Sequence, residues 1–210
     1  EMVNEVTGSS PDLVLLNDEP FDGYFDRRFS FQYPELMLWL MRDYYRWYQV
    51  GGFKILRRKP SDAESLIAED NRKLLMVTGE TDVGRVYIGE KPVRTLIQKG
   101  DARYVVAFEQ MDEAILASGV LLDTSGGSGG ICEVSIYVNG DMLGSGQLKP
   151  GDTYMDISVR LPPADRSECQ LELRANTTGL TDGGSVIWVE PSVFQGYQTG
   201  GFVDRYCISL

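Results

Sequence analysis

Hydrophobic and polar positions alternate most regularly between Ile131 and Phe194. Cys132, Val134, Ile136 and Val138 fall on one face of a strand, because strand side chains alternate with period two. Glu133, Ser135 and Tyr137 take the other face. Asn139-Gly140 supplies the positive φ angles of a tight hairpin turn. Ile157, Val159 and Leu161 then alternate with Asp156, Ser158 and Arg160. Cys169, Leu171, Leu173 and Ala175 alternate with Gln170, Glu172 and Arg174. Half-buried strands in succession, joined by turns, predict an antiparallel β-sandwich. Val186 to Val189 is apolar on both faces, which assigns Trp188 to the core.

Upstream the period changes. Pro11 to Asn17 is a short apolar run that suits a covered strand. Asp18 to Phe31 is acidic and aromatic, with Phe21, Tyr24, Phe25, Phe29 and Phe31, and reads as a lid on the neighbouring core. Pro34 to Gln49 predicts a helix, with Pro34 in its first turn and Gly51-Gly52 as its stop. Leu36, Met37, Leu38, Leu40, Met41, Tyr44, Tyr45, Trp47 and Tyr48 sweep about half of its circumference. Glu35, Arg42, Arg46 and Gln49 form the polar arc, and Trp39 falls inside it. So wide an apolar arc needs cover on more than one side. The helix is either wedged between a small sheet and the sandwich or turned toward a missing partner. Trp39 is either an exposed anchor or covered by the preceding loop.

Phe53 to Arg58 predicts a second strand, joined to the first by a crossover with parallel strands. The basic triplet Arg57-Arg58-Lys59 reads as solvated or locally paired. Lys59 to Asn71 reads as a linker or short helix. The expected organisation is a strand-helix-strand unit at 11–59 and a sandwich at 72–210. Short strands are expected near 74–78, 84–88, 93–97 and 103–109, and a longer one at 114–122. The mainly β class is thus set by pattern, with one small α/β unit at the start.

Composition narrows the chemistry. The 210 residues are 42% hydrophobic and carry net charge −11. An acidic chain is a poor partner for nucleic acid, whose phosphates need clustered Lys and Arg. There is no histidine, so Ser-His-Asp and Cys-His catalysis and His-based metal sites are excluded. Cys132, Cys169 and Cys207 lack CxxC spacing; one disulfide with a spare thiol and three buried thiols both stay open. No run approaches the ~18 to 20 apolar residues of a membrane span. The chain begins Glu-Met, as a fragment or a processed product would. The loop Asp123 to Gly130 is glycine-rich but lacks the Lys-Ser or Lys-Thr of a P-loop.

Two resemblances follow from particular residues. From Tyr104-Val-Val-Ala-Phe108, the order continues with the Val134-to-Asp141 hairpin, the Gly151-to-Val159 strand and a Leu-Glu-Leu strand. It ends in Asp182-Gly-Gly-Ser-Val-Ile-Trp188-Val-Glu-Pro191. Residues 103–194 resemble the jelly-roll carbohydrate-binding modules of the NPCBM type, found beside glycosidases. The resemblance implies a jelly roll and sugar binding. The segment 11–58 combines Pro11 to Asn17, the helix opening Tyr33-Pro-Glu-Leu36, Asp43-Tyr-Tyr45 and Gly51 to Arg58. It is similar to the extracytoplasmic C-terminal tail of bacterial polyprenyl-phosphate-sugar-dependent membrane glycosyltransferases. That likeness implies an extracytoplasmic, membrane-tethered setting. It also implies a membrane-embedded remainder of the same chain and a lipid-linked sugar or glycan as partner. It carries over no catalytic residue.

Sugars are held by aromatic faces flanked by polar groups. Tyr137 and Tyr154 are the candidate surface aromatics, with Asn139 and Asp141 beside the first on the hairpin. Asp123 and Asp182, with loop carbonyls, are weak candidates for calcium, a cation that favours hard oxygen ligands; no other cofactor is expected. Glu109, Asp112 and Glu113 cluster after a strand, as surface acids do in so acidic a chain. The expected function is a non-catalytic extracytoplasmic domain of a membrane glycosyltransferase-like protein that binds glycan or positions acceptor. The alternative is a freestanding carbohydrate-binding or adhesion protein, with a hydrolase third.

Overall fold

The computed structural model describes residues 8–17, 33–67, 74–88, 90–109, 111–123, 130–149, 154–163, 168–180 and 184–196. Strands dominate, and the architecture is a mainly β, antiparallel jelly-roll sandwich with a small α/β unit at its N-terminal end. The elements in order are β1 (Leu13–Asn17), α1 (Pro34–Asp43), β2 (Tyr44–Val50), β3 (Phe53–Arg58) and β4 (Glu64–Ser65). The sandwich continues with β5 (Leu74–Ile88), β6 (Lys91–Glu109), β7 (Ala114–Asp123), β8 (Cys132–Val138) and β9 (Asp141–Leu148). It closes with β10 (Met155–Arg160), β11 (Glu168–Asn176) and β12 (Ser185–Gln195).

The alternating runs become strands as their pattern predicts. Cys132, Val134, Ile136 and Val138 are buried along β8, and Leu171, Leu173 and Ala175 are buried along β11. Asn139 (φ 52°) and Gly140 (φ 90°) turn the β8–β9 hairpin. Cys132 and Cys169 are buried thiols in the core; Cys207 lies outside the described residues.

The two layers are one sheet folded over at β6. Residues 95–98 of β6 pair with β12, and residues 101–109 pair with β11. The layer β10-β7-β12-β6 thereby faces the layer β6-β11-β8-β9. Both β5 and β6 bend at this corner, at Gly79 (φ 73°) and Gly100 (φ 68°). A Cβ on Gly79 would stand 2.6 Å from the Asp101 carbonyl oxygen, so only glycine fits the bend. The four short strands expected between 74 and 109 are therefore two long ones. Their turn-like residues mark a bend within a continuous ladder. Inside the fold, Trp188 Nε1 donates to Gln98 Oε1 at 2.7 Å. Gln98 Nε2 donates to the Leu173 carbonyl of the facing layer at 3.3 Å. Both side chains are fully buried, so Trp188 is a core residue and its polar atom is satisfied.

Two expectations at the N-terminus are corrected. The helix ends at Asp43, not Gln49, and the strands are antiparallel in the order β1-β3-β2. Tyr44 to Tyr48 is aromatic, which favours extended backbone. Gly51-Gly52 turns a hairpin instead of stopping a helix. The wide apolar arc had pooled one helix with two faces of a strand. Leu36, Met37, Leu40 and Met41 remain on α1, and Tyr44 and Tyr45 pack on opposite sides of β2.

The helix is wedged between the small sheet and the sandwich. One cluster joins Leu16, Trp39, Leu40, Met41, Tyr44 and Leu56 to Val93 and Val189. Trp39 is 1% exposed and so is no surface anchor. It meets Tyr44 edge-on with ring centroids 5.0 Å apart. Leu66 and Ile67, placed by sequence in a linker or short helix, belong to the sandwich core, and β4 pairs with β12.

Close approach of α1 depends on Gly119 of β7, because the Met41 side chain occupies the space where a Cβ would stand. Replacing Gly119 by Leu is expected to destabilise the protein by about 1 to 3 kcal/mol through overpacking. Urea unfolding measures that loss, and in a Trp47→Phe/Trp188→Phe background acrylamide quenching of Trp39 fluorescence should rise as α1 loosens.

Candidate functional site

The sequence-derived sugar candidates do not converge. Tyr137 lies on the outer face of β8, half-buried, opposite Glu172 of β11 and Met142 of β9. Asn139 holds the hairpin to β11. Its Oδ1 accepts from the Gln170 backbone N–H at 2.9 Å, and its Nδ2 lies 3.4 Å from Cys169 Sγ. Asp141 is exposed at the start of β9. Tyr154 belongs to the other layer and is half-buried against the α1 cluster, so it is not the surface aromatic expected. Lys54 Nζ lies 3.1 Å from its hydroxyl and 4.5 Å from its ring centroid. The same ammonium is 2.7 Å from Asp156, which also meets the buried Arg46 at 3.0 Å. This charged cluster joins the small sheet to β10.

Asp123 ends β7, where it pairs with Ser185. Asp182 lies outside the described residues. Among the described residues, no three carboxylates or thiols are grouped to hold a metal ion.

Two clefts form on either side of the Arg58-Lys59-Pro60 segment, the first between the small unit and the sandwich and the second within the small unit. The first follows from an irregularity in β12. Its ladder to β6 ends at Val189, and its ladder to β4 begins at Ser192. Between them Glu190 adopts φ 43°, and the register to β7 shifts. The bulge opens a cleft of about 510 Å³. Arg42, Arg58 and Lys59 line it from the small unit, and Lys91, Arg94, Ser65 and Ser192 line it from the sandwich.

Asp43 and Glu190, the two carboxylates in this wall, are already engaged. Arg42 grips Asp43 through two contacts of 2.6 Å. Arg94 donates its backbone N–H and its guanidinium to Glu190 at 2.8 and 3.1 Å. Among the described residues, Arg58, Lys59 and Lys91 have no carboxylate within ion-pair distance. A chain of net charge −11 thus gathers an excess of positive charge in one hollow. Ser65 and Ser192 face each other across the β4–β12 pair. Their hydroxyl oxygens are buried and have no hydrogen-bond partner among the described residues.

Lys59 crosses the seam. Its Nζ donates to the Met41 carbonyl of α1 at 3.1 Å and to the Glu190 carbonyl of the bulge at 3.2 Å. Burial pushes its pKa down to about 8, while Glu190 and Asp43 act in the opposite direction and Arg42 adds to the fall.

The second cleft, of about 550 Å³, shares the Arg58-Lys59-Pro60 wall. Asp12, Leu13, Trp47 and Arg57 complete it. The Arg57 guanidinium lies 5.6 Å from the Trp47 ring centroid. Trp47 is half-buried against Tyr45, Ile115 and Phe194. Sequence reading missed this group because it assigned Trp47 to a helix. As a strand residue near Arg57, it takes part in the wall.

No family model matches the chain, and no curated protein matches it in sequence. Among solved structures, it is similar to CBM51 from Clostridium perfringens GH95 in complex with methyl-galactose. Identity is 14% and TM-score 0.44, over 63% of this chain and 99% of that one. It is also similar to the M60 catalytic domain with CBM51-1 and CBM51-2 from Clostridium perfringens ZmpB. There identity is 16% and TM-score 0.46, over 70% of this chain but only 17% of that one. Tandem CBM51 modules of Streptococcus pneumoniae Sp3GH98 match at 10% identity and TM-score 0.45, over 69% of this chain and 54% of that one. Identity this low leaves each chain's binding residues its own.

The state of Lys59 has a measurable consequence. Below pH 8 the buried ammonium is charged in both folded and unfolded chains, and its burial is unfavourable. Between about 8 and 10.5 only the unfolded chain keeps the proton, so stability rises with pH. Relative to Lys59→Met, the wild type is expected to gain on the order of 3 kcal/mol across that window. Denaturant unfolding at pH 7, 9 and 10.5 checks it, and a constant difference between the two proteins contradicts it.

Proposed function

We propose that this chain is a non-catalytic glycan-binding domain, with the Trp47 cleft receiving sugar. The observation that carries this reading is the make-up of that cleft. An indole forms part of its wall, a guanidinium lies against the indole, and an exposed carboxylate, Asp12, stands at the edge. Sugars offer C–H surfaces to aromatics and hydroxyls to planar polar groups. A volume of about 550 Å³ suits a mono- or disaccharide.

The wider setting we propose is extracytoplasmic, as part of a membrane glycosyltransferase-like protein that presents glycan or acceptor. Support comes from the outer face of the small sheet. There Leu15, Tyr48, Val50 and Phe53 are all exposed, a surface suited to contact with a larger body.

A glycan array and titration calorimetry test the binding reading. Arg57→Ala and Asp12→Asn are expected to weaken glycan binding roughly tenfold or more, since each removes a charge-assisted hydrogen bond. The Tyr137→Ala/Asp141→Asn variant should bind as the wild type does. If that variant alone loses binding, the site is the β8–β9 hairpin; no binding of any glycan by the wild type ends the glycan reading. The membrane setting predicts an upstream reading frame, continuous with Glu1, that encodes several apolar spans. A stop codon immediately before Glu1 would sink it.

A further inference from the structure

We propose that the cleft at the Glu190 bulge binds an oxyanion group carried by the glycan, a carboxylate or a phosphate ester, beside the sugar held at Trp47. The inference deepens the glycan-binding reading and rests on it for the identity of the carrier. Two independent observations point to an anion, and a third describes how the cleft is formed.

The first is charge. Arg58, Lys59 and Lys91 face the cleft, and its two carboxylates are already gripped by Arg42 and Arg94. The unmatched charge in this wall is therefore positive, in a chain whose net charge is −11. Unpaired cations in a concave wall favour an anion there, because low-dielectric walls concentrate their field.

The second is the pair of serine hydroxyls. Ser192 is 2% exposed and lines the cleft, and its Oγ has no partner among the described residues. Ser65 Oγ, opposite it, is in the same state. A buried hydroxyl without a partner is unfavourable by about 1 to 3 kcal/mol. Two such donors at one spot are accounted for if an oxyanion accepts from them. Charge-assisted hydrogen bonds of that kind are about twice as strong as neutral ones.

The third is backbone geometry. Glu190 is a non-glycine residue at φ 43°, an uncommon conformation for its type. The bulge it makes is where β12 changes partner from β6 to β4, beside the two hydroxyls. The two clefts share Arg58, Lys59 and Pro60, so a sugar at Trp47 and an acid at the bulge would lie on either side of one wall.

Ser192→Ala and Lys91→Gln touch only the bulge cleft, which makes them the informative variants. Titration calorimetry would use four probes: galacturonate oligomers, their fully methyl-esterified counterparts, a sugar phosphate and inorganic phosphate. The carboxylate and phosphate probes together distinguish the two sources of an oxyanion. Expected results are binding of an acidic probe at least about tenfold tighter than its ester, and a loss of about tenfold or more in each variant. Ester binding is expected to be unchanged in both. Ser192→Ala should leave unfolding stability equal or higher, because it removes an unsatisfied buried group; a structural role for the hydroxyl would lower it instead.

If the ester binds as tightly as the acid and neither variant matters, the anion proposal is overturned while glycan binding stands. If phosphate binds and shifts the Lys91 resonances but no glycan binds, the anion site stands and the glycan reading falls. If none of the four probes binds, the anion proposal is overturned, and the glycan array alone decides the glycan reading.

Discussion

The seam between the small unit and the sandwich depends on how closely α1 can approach β7 and β12. The contact exists because Gly119 has no side chain and Met41 fills its place. Trp39, Leu40 and Met41 then bury themselves against Val93 and Val189. A helix wedged in this way cannot shift without opening apolar surface on both of its sides, at roughly 25 cal/mol per Å². Lys59 adds a polar tie across the same seam, between the last turn of α1 and the bulge of β12. Its ammonium is buried, so its hydrogen bonds to two carbonyls offset only part of the desolvation cost.

The bulge itself converts a regular sheet edge into a hollow. Along most of β12, neighbours on both sides satisfy the backbone. At Glu190-Pro191 the partner changes from β6 to β4, and the Leu66 N–H bonds to the Pro191 carbonyl. Pro191 has no N–H to offer a ladder, which suits it to this break. The Glu190 carboxylate folds back to hold Arg94, so the break is braced by side chains where it has lost backbone pairing. Stability is given up locally at a position where it opens the cleft, the usual relation between strain and sites.

Charge is distributed to the same end. Acidic residues are spread over the chain, whereas the basic residues of Arg57-Arg58-Lys59, at the end of β3, meet Arg42 of α1 and Lys91 and Arg94 of β6. In sequence the triplet looks like a solvated surface run. In the fold it is the wall between two clefts. The charged cluster of Arg46, Lys54 and Asp156 is of a different kind, since its charges are matched and it joins two parts of the molecule.

The sequence by itself determined the strands whose alternation is strict. Cys132 to Val138 and Cys169 to Ala175 have one buried face each, and a shift of register by one residue would expose all of it. The Asn139-Gly140 turn was equally legible, because few dipeptides accept two positive φ angles. Trp188 was assignable to the core from its doubly apolar surroundings. The end of α1 was not legible, because Leu36 to Tyr48 fits a helical arc while its aromatic half also fits a strand. Only pairing with β3 across Gly51-Gly52 decided between them. The clefts were beyond reach for a related reason. Their residues come from β1, α1, β2, β3, β4, β6 and β12, far apart in the chain. The hydroxyls of Ser65 and Ser192 acquire meaning only through burial without a partner, a property of tertiary packing and not of any local pattern.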